Sequence, residues 1–166
     1  MDRPHYVNRC LQALQRSASA LGGDPQAPAW PVLAEMVIQS MSGPWRSFHT
    51  PEHIFDVGEG GNPVEVMAAL FHDLVYVQVD QGINLSLARH LADALRETGQ
   101  GLQLDPAAVG QDPLLRMTVD LFGFAHDQLL NPFGGQNEFL SAVVAVRSMR
   151  DLLPPAVLAQ VVACIE

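Results

Sequence analysis

The sequence contains no lysine and few charged residues for its length. All nine of its basic residues are arginines, while 18 residues are Asp or Glu, so the formal net charge is −9. Without lysine, the chain cannot contain the lysine-bearing phosphate loop of the P-loop proteins. The acidic balance also argues against binding to a nucleic-acid backbone, and we expect no nucleic-acid duplex as a partner. It does not exclude a small phosphorylated substrate, because a metal ion and one or two arginines can supply local positive charge.

Cysteines and long apolar runs are also scarce. Cys10 and Cys164 are far apart in the chain and lie among apolar residues, which favours thiols in a core over a disulfide framework. No apolar run approaches the roughly 20 residues that span a bilayer, and the first residues carry no apolar signal core. We therefore expect a cytoplasmic protein with no membrane partner.

The length and the apolar spacing predict one helical domain. A chain of 166 residues suits a single domain that buries about two thirds of the surface of its unfolded chain. Apolar side chains recur at helical spacing in several segments, whereas no alternating run predicts a strand. We expect an all-α bundle of about seven or eight helices over residues 1–166, and we keep a homodimer open. The predicted helices include 5–21, 31–42, 82–98, 113–124 and 138–153, with a last helix after Pro154.

The most informative helix is predicted to begin at Asn62. Asn62 is a good N-cap, and Glu65 stands where a capping box would place it. The helix is predicted to run to Tyr76 and is apolar nearly all round, so we expect it to be buried. His72 and Asp73 are adjacent within it, and a metal ion is the commonest partner that satisfies an imidazole and a buried carboxylate together.

A second, shorter helix precedes it and carries two more histidines at its start. Thr50 is a candidate N-cap and Pro51 fits the first helical position, so His53 comes third and His49 lies just outside. Two such helices can close on one ion from two sides. Their nitrogen and oxygen ligands suit Zn, Mn, Fe or Mg.

The order of these motifs resembles a known superfamily. R-x-F-H-x-x-x-H followed by F-H-D-x-V-Y is similar to the HD-domain metal-dependent phosphohydrolases, and most similar to their small bacterial members. The segment F-H-T-P-E-H-I-F-D-V also resembles an element of the cyclic-nucleotide phosphodiesterases of the same superfamily. The resemblance implies an HD-like helical bundle in which His53, His72 and Asp73 bind the metal. It further implies that His49 protonates the leaving group, and residues 137–142 resemble the N-E-x-x-S-A element of the small bacterial subgroup.

One ligand of the superfamily has no clear match. The resemblance implies a second aspartate downstream, for which Asp120 is our first candidate, because it lies in an apolar helical stretch. Asp127 and Glu138 are alternatives. The last helix stops in mid-pattern, so we also keep open that the ligand lies beyond Glu166 and that 1–166 is the N-terminal part of a longer protein.

The expected function follows from these residues. It is a metal-dependent hydrolysis of a phosphomonoester or phosphodiester, with a nucleotide as a candidate substrate and a metal-activated water as the nucleophile. Arg46 would bind the phosphate, because its planar fork suits phosphate oxygens. The cofactor is a divalent metal, either Mn, Fe, Zn, Ni, Co or Mg. The alternative is a catalytically degenerate HD module that binds a nucleotide or a protein partner, and a purely structural helical domain is a third hypothesis.

Overall fold

The computed structural model describes residues 2–166. Within those residues the chain forms ten helices and one two-stranded sheet, so it is mainly helical. The helices are α1 (Arg3–Ala20), α2 (Ala29–Met41), α3 (Pro51–Val57), α4 (Pro63–Phe71), α5 (Val77–Asp80), α6 (Leu85–Ala88), α7 (Pro106–Gln111), α8 (Pro113–Leu121), α9 (Gln136–Ser148) and α10 (Pro155–Ile165). The strands β1 (Leu95–Thr98) and β2 (Gly101–Leu104) lie between α6 and α7.

Local capping signals explain where several helices begin. Asn62 accepts hydrogen bonds from the backbone N–H groups of Val64 and Glu65, and Glu65 accepts from the Asn62 N–H, so the predicted capping box is present. Asp105 and Asp112 are the N-caps of α7 and α8, and their carboxylates accept from backbone N–H groups of the first turn, without the reciprocal bond of a capping box. These contacts satisfy N–H groups that have no partner within the helix.

The predicted helix over 82–98 is wrong. Helix α6 covers only Leu85–Ala88, and the chain then turns repeatedly before it enters β1. β1 pairs with β2 in antiparallel register, with Leu95 opposite Leu104, so the prediction of a chain without strands is also wrong. The hairpin is favoured by Gly101, whose φ of +129° few other residues adopt.

Helix α9 forms the centre of the core. Nine of its residues are buried, and it packs against α4, α8 and α10, while α1 packs against α2 and α4. A helix that is buried on nearly all sides must be apolar almost all round, as α9 is from Phe139 to Val146. This packing fixes α4, which carries the histidine and aspartate of interest at its end.

The two cysteines occupy different environments. Cys10 is fully buried, and burial raises the pKa of its thiol to about 12. Cys164 is exposed, so the prediction of a core thiol is confirmed for Cys10 and wrong for Cys164. No helix among residues 2–166 is both long and apolar enough to cross a membrane.

Candidate metal centre

Helix α4 delivers His72 and Asp73 to one point at its C-terminal end. The helix was predicted to run to Tyr76, but it ends at Phe71. His72 is its C-cap, and the His72 backbone N–H still donates to the Ala68 carbonyl. A tight turn follows, in which the Leu74 N–H donates to the Phe71 carbonyl. The pair therefore lies in the turn that ends α4 and not in the middle of a helix.

Helix α3 brings two more histidines to the same point. It begins at Pro51, as predicted, and the His53 N–H donates to the Thr50 carbonyl. The helix packs closely on α4, since a Cβ added at Gly58 would lie 3.2 Å from the Cβ of Ala69. His53 consequently faces the end of α4, and His49 lies beside it just before α3.

Three imidazoles converge on one carboxylate oxygen. The Nε2 atoms of His49, His53 and His72 lie 3.6, 3.4 and 3.0 Å from Oδ2 of Asp73. The ligand atoms of His49, His53 and Asp73 all lie within 4.8 Å of one another. Nitrogen and carboxylate donors at such spacing can bind a divalent metal ion.

The hydrogen bonding of His72 indicates whether a cation can be held between its ring and Asp73. Its Nδ1 lies 2.8 Å from the Ala69 carbonyl oxygen, which can only accept, so Nδ1 carries a proton. In a neutral imidazole Nε2 then presents a lone pair. That lone pair faces Asp73 Oδ2 at 3.0 Å, and two acceptors at this distance need a proton or a metal ion between them. The donor set therefore fits a metal ion.

The pKa directions describe how the metal-free cluster holds its proton. Burial lowers the pKa of His72, but the hydrogen bond and charge of Asp73 outweigh burial, so that this pKa is raised. For Asp73, burial raises the pKa, but the neighbouring imidazoles outweigh it and the pKa is lowered. The cluster thus favours a positive charge beside the carboxylate.

Arg46, predicted to bind a substrate phosphate, is buried and fully engaged elsewhere. Its Nε and Nη2 donate to the carboxylate of Asp80. Nη1 donates to the Asp73 carbonyl at 2.6 Å and Nη2 to the Leu74 carbonyl at 3.1 Å. Arg46 therefore holds the backbone of the turn that carries Asp73, and its guanidinium is not free for a phosphate.

Of the three candidates for a further acidic ligand, Asp120 and Asp127 are exposed side chains outside the cluster, and Glu138 is near it. Asp120 is not part of the cluster, because its side chain is 59% exposed and lies within ion-pair distance of Arg116 and His126 on the surface. The buried side chains of α8 are Leu115, Thr118 and Val119, and Asp120 is not among them. The apolar composition of the segment does not show which face of the helix Asp120 occupies. Asp127 is exposed as well. Glu138 is near enough to the cluster to help raise the pKa of His72.

An open cleft of about 310 Å³ leads to the cluster. His49 and Asp73 lie in its wall, and the ring of Tyr76 stands edge-on to the ring of His49, with centroids 4.9 Å apart. Glu138 and Phe133 also line it. A small molecule in this cleft can reach both an imidazole and the carboxylate.

Two residues of α9 hold the chain that follows the metal turn. Oγ of Ser141 accepts from the Val75 N–H, and Oδ1 of Asn137 accepts from the Val77 N–H. The N-cap residue of α9 is Gly135, so Asn137 lies inside the first turn of the helix. The spacing of four residues, which places both side chains on one face of α9, was the available signal for this role.

Two further residues that shape the site, Asp80 and Tyr76, could not be identified from neighbouring residues in the sequence. Asp80, the partner of Arg46, lies 34 positions away from it. Tyr76 lies against His49 only because the chain leaves α4 early. Long-range pairs of this kind depend on the fold.

Comparison with protein-family models, with curated proteins and with solved structures finds no match for this chain. The case for a metal centre therefore depends on the arrangement of His49, His53, His72 and Asp73.

Proposed function

We propose that the protein is a metal-dependent phosphohydrolase of the HD type, which hydrolyses a phosphomonoester or a phosphodiester, with nucleotides among the candidate substrates. The observation that carries this proposal is the convergence of three imidazoles on Asp73 in the wall of an open cleft. The order of the histidine motifs and the mainly helical fold agree with it.

Three side chains are assigned to the ion. His53, His72 and Asp73 would hold it, and their mixed nitrogen and oxygen donors favour a first-row transition metal over magnesium alone. When bound, such an ion lowers the pKa of a water and polarises a phosphoryl oxygen. The Ala69 carbonyl supports the site, because it fixes the ring and the tautomer of His72.

His49 is assigned a different role because it lies in the cleft wall. From there its imidazole can donate a proton to the leaving oxygen of the ester. The distances also allow His49 to act as a ligand. The variant His49→Ala separates the two roles, since a proton donor leaves bound metal unchanged and lowers turnover by about 100-fold or more, whereas a ligand reduces metal content.

Arg46 is assigned a positioning role in place of phosphate binding. Its bonds to the carbonyls of Asp73 and Leu74 leave the guanidinium pointing at the backbone. Through Asp73 it fixes one ligand of the ion.

A phosphatase screen tests the proposal. The protein is incubated with added manganese and a panel of aryl phosphomonoesters, aryl phosphodiesters and nucleotides, and release of phosphate or of the aryl alcohol is followed. We expect turnover by the native protein and none by Asp73→Ala. Absence of turnover across the panel in a protein that holds its metal would reject the hydrolase.

A second candidate function is a regulatory module that binds a nucleotide without hydrolysing it. The observation in its favour is that, among residues 2–166, Asp73 is the one carboxylate in the metal-binding group, while Asp120 points into solvent. This candidate predicts saturable, metal-dependent nucleotide binding with no product formed.

A further inference from the structure

We propose that Glu138 is a specificity-determining residue that limits the cleft to esters with a single phosphate group, so that nucleoside di- and triphosphates are poor substrates. This inference rests on the proposed phosphohydrolase function and narrows its substrate class. The motivating feature is the charge of the side chains that line the cleft.

Among the described residues, two carboxylates and no arginine line the cleft. Asp73 lies in its wall, as does Glu138, which is in the first turn of α9. Of the lining side chains that the structure describes, His49 alone can become a cation. The polar amide of Asn137 is already engaged, since it accepts from the Val77 N–H and donates to Gln78.

The arginines of the chain are placed elsewhere. Arg46, the nearest in sequence to the cluster, is buried against Asp80. Arg9 stacks over the ring of Phe55, 4.2 Å from its centroid. Five further arginines lie within ion-pair distance of carboxylates outside the cleft lining, namely Arg3, Arg96, Arg116, Arg147 and Arg150. Of the remaining two, Arg16 lies in the wall of a different pocket and Arg89 donates to His90.

The wall that carries Pro132 and Phe133 is apolar and adds no hydrogen-bond donor from a side chain. Phe133 is 95% exposed and lies in a turn whose backbone is held by Asn131. The turn ends at Gly135, which has a φ of +81° and is the N-cap of α9. Phe133 can contact the organic part of an ester but cannot neutralise phosphate oxygens.

The charge balance follows from these contacts. A divalent ion beside Asp73 leaves about one positive charge. A single phosphate group already offsets that charge, since it carries one negative charge in a diester and about two in a monoester. Each further phosphate adds negative charge next to Glu138 with no arginine fork or ammonium to receive it, whereas sites that bind nucleoside triphosphates commonly use lysine or arginine for this purpose. Polyphosphate esters are therefore repelled.

Glu138→Gln tests this inference, because it removes the charge and preserves the shape. The ratio of kcat/KM for a nucleoside monophosphate to that for the matching triphosphate is measured with free metal held constant, and bound metal is measured by elemental analysis. Glu97→Gln is the matched control, since Glu97 is exposed on β1 and the variant has the same net charge. We expect a ratio well above one in the native protein, a fall of roughly tenfold in Glu138→Gln, no change in Glu97→Gln, and unchanged metal content.

Several outcomes would overturn the inference while leaving the hydrolase intact. They are a native protein that prefers triphosphates, an unchanged ratio in Glu138→Gln, an equal change in Glu97→Gln, or loss of metal from Glu138→Gln, which would make Glu138 a ligand. No turnover of any ester by the metal-loaded native protein would instead reject the proposed function itself.

Discussion

Two carboxylates of this protein, Asp73 and Asp112, are almost equally exposed but have opposite surroundings. Their side chains are 15% and 16% exposed. Asp112 caps α8 through the N–H groups of Leu114 and Leu115. It also accepts from Arg147 and Arg150. Asp73 instead faces three imidazoles.

The difference shows which of the two carboxylates has its charge balanced by the protein's own permanently charged groups. Burial raises the pKa of Asp112, but backbone N–H groups and two permanently charged arginines outweigh burial and lower it. The imidazoles around Asp73 are cations only when protonated. When they are neutral, none of the described side chains that face Asp73 matches its charge. A cluster satisfied by fixed charges stabilises the fold, whereas one that needs an added cation is a candidate binding site.

The largest expected effect is a difference in metal affinity between the Asp73→Ala and Asp112→Ala variants. Asp73→Ala should lower metal affinity by more than about 100-fold, because a direct ligand is lost. Asp112→Ala should keep its metal and lower the free energy of unfolding by about 3 kcal/mol, because it removes a helix cap and leaves Arg147 short of a partner. Metal titration and chemical denaturation of both variants measure these effects. Equal metal affinity in the two variants would contradict the distinction.

Replacing Arg46 is expected to lower both the stability of the fold and the affinity for metal. Arg46→Ala leaves Asp80 without its buried partner and frees the turn at Asp73, so we expect a loss of about 3 kcal/mol in unfolding free energy. Metal affinity should fall by about tenfold, as for other groups that orient a ligand.

The control for Arg46 is Arg3→Ala. Arg3 pairs with Glu35, and both side chains are more than half exposed. Loss of this pair should cost less than about 1 kcal/mol and leave metal binding unchanged. An Arg46→Ala protein as stable as Arg3→Ala would show that the buried network is not needed.

The pH dependence of stability should reverse when metal is added. The raised pKa of His72 gives the metal-free protein a stabilising contribution that is complete below its ordinary value of 6.5 and is lost as the pH rises through the folded-state pKa. The lowered pKa of Asp73 contributes above 3.8 and is lost as the pH falls through its folded-state value. Metal needs a neutral imidazole, so its stabilisation should grow with pH.

Thermal melting at about pH 6 and about pH 8, with and without metal, measures this reversal. His72→Asn should remove both trends. A native protein whose metal-induced rise in melting temperature is larger at the lower pH would argue against imidazole ligands.

The smallest effect is expected at Asp120. Its exposed contacts with Arg116 and His126 should be worth less than about 0.5 kcal/mol, so Asp120→Ala should match the native protein in metal content and in melting temperature. Loss of metal from this variant would restore Asp120 as a ligand.

The parts of the fold and site that are local in sequence could be predicted. The capping box at Asn62, the proline that starts α3 and the placement of His53 three residues after Thr50 each depend on neighbouring residues. The approach of His53 and His72 followed from the motif order, which is why the cluster was expected.

The remaining features depend on tertiary contacts. The leucines of 82–98 have helical spacing, yet pairing of Leu95 with Leu104 outweighs the helical preference. The placement of Asp120 depends on which face of α8 packs on α9, and the burial of Arg46 depends on Asp80. No pattern within a short window specifies such contacts.

Elemental analysis of the protein, purified without chelators or an affinity metal column, tests the central claim most directly. We predict about one divalent transition metal per chain, and a metal-poor Asp73→Ala protein prepared in the same way. A native protein that is metal-free and also fails to bind added manganese, iron or zinc would contradict it.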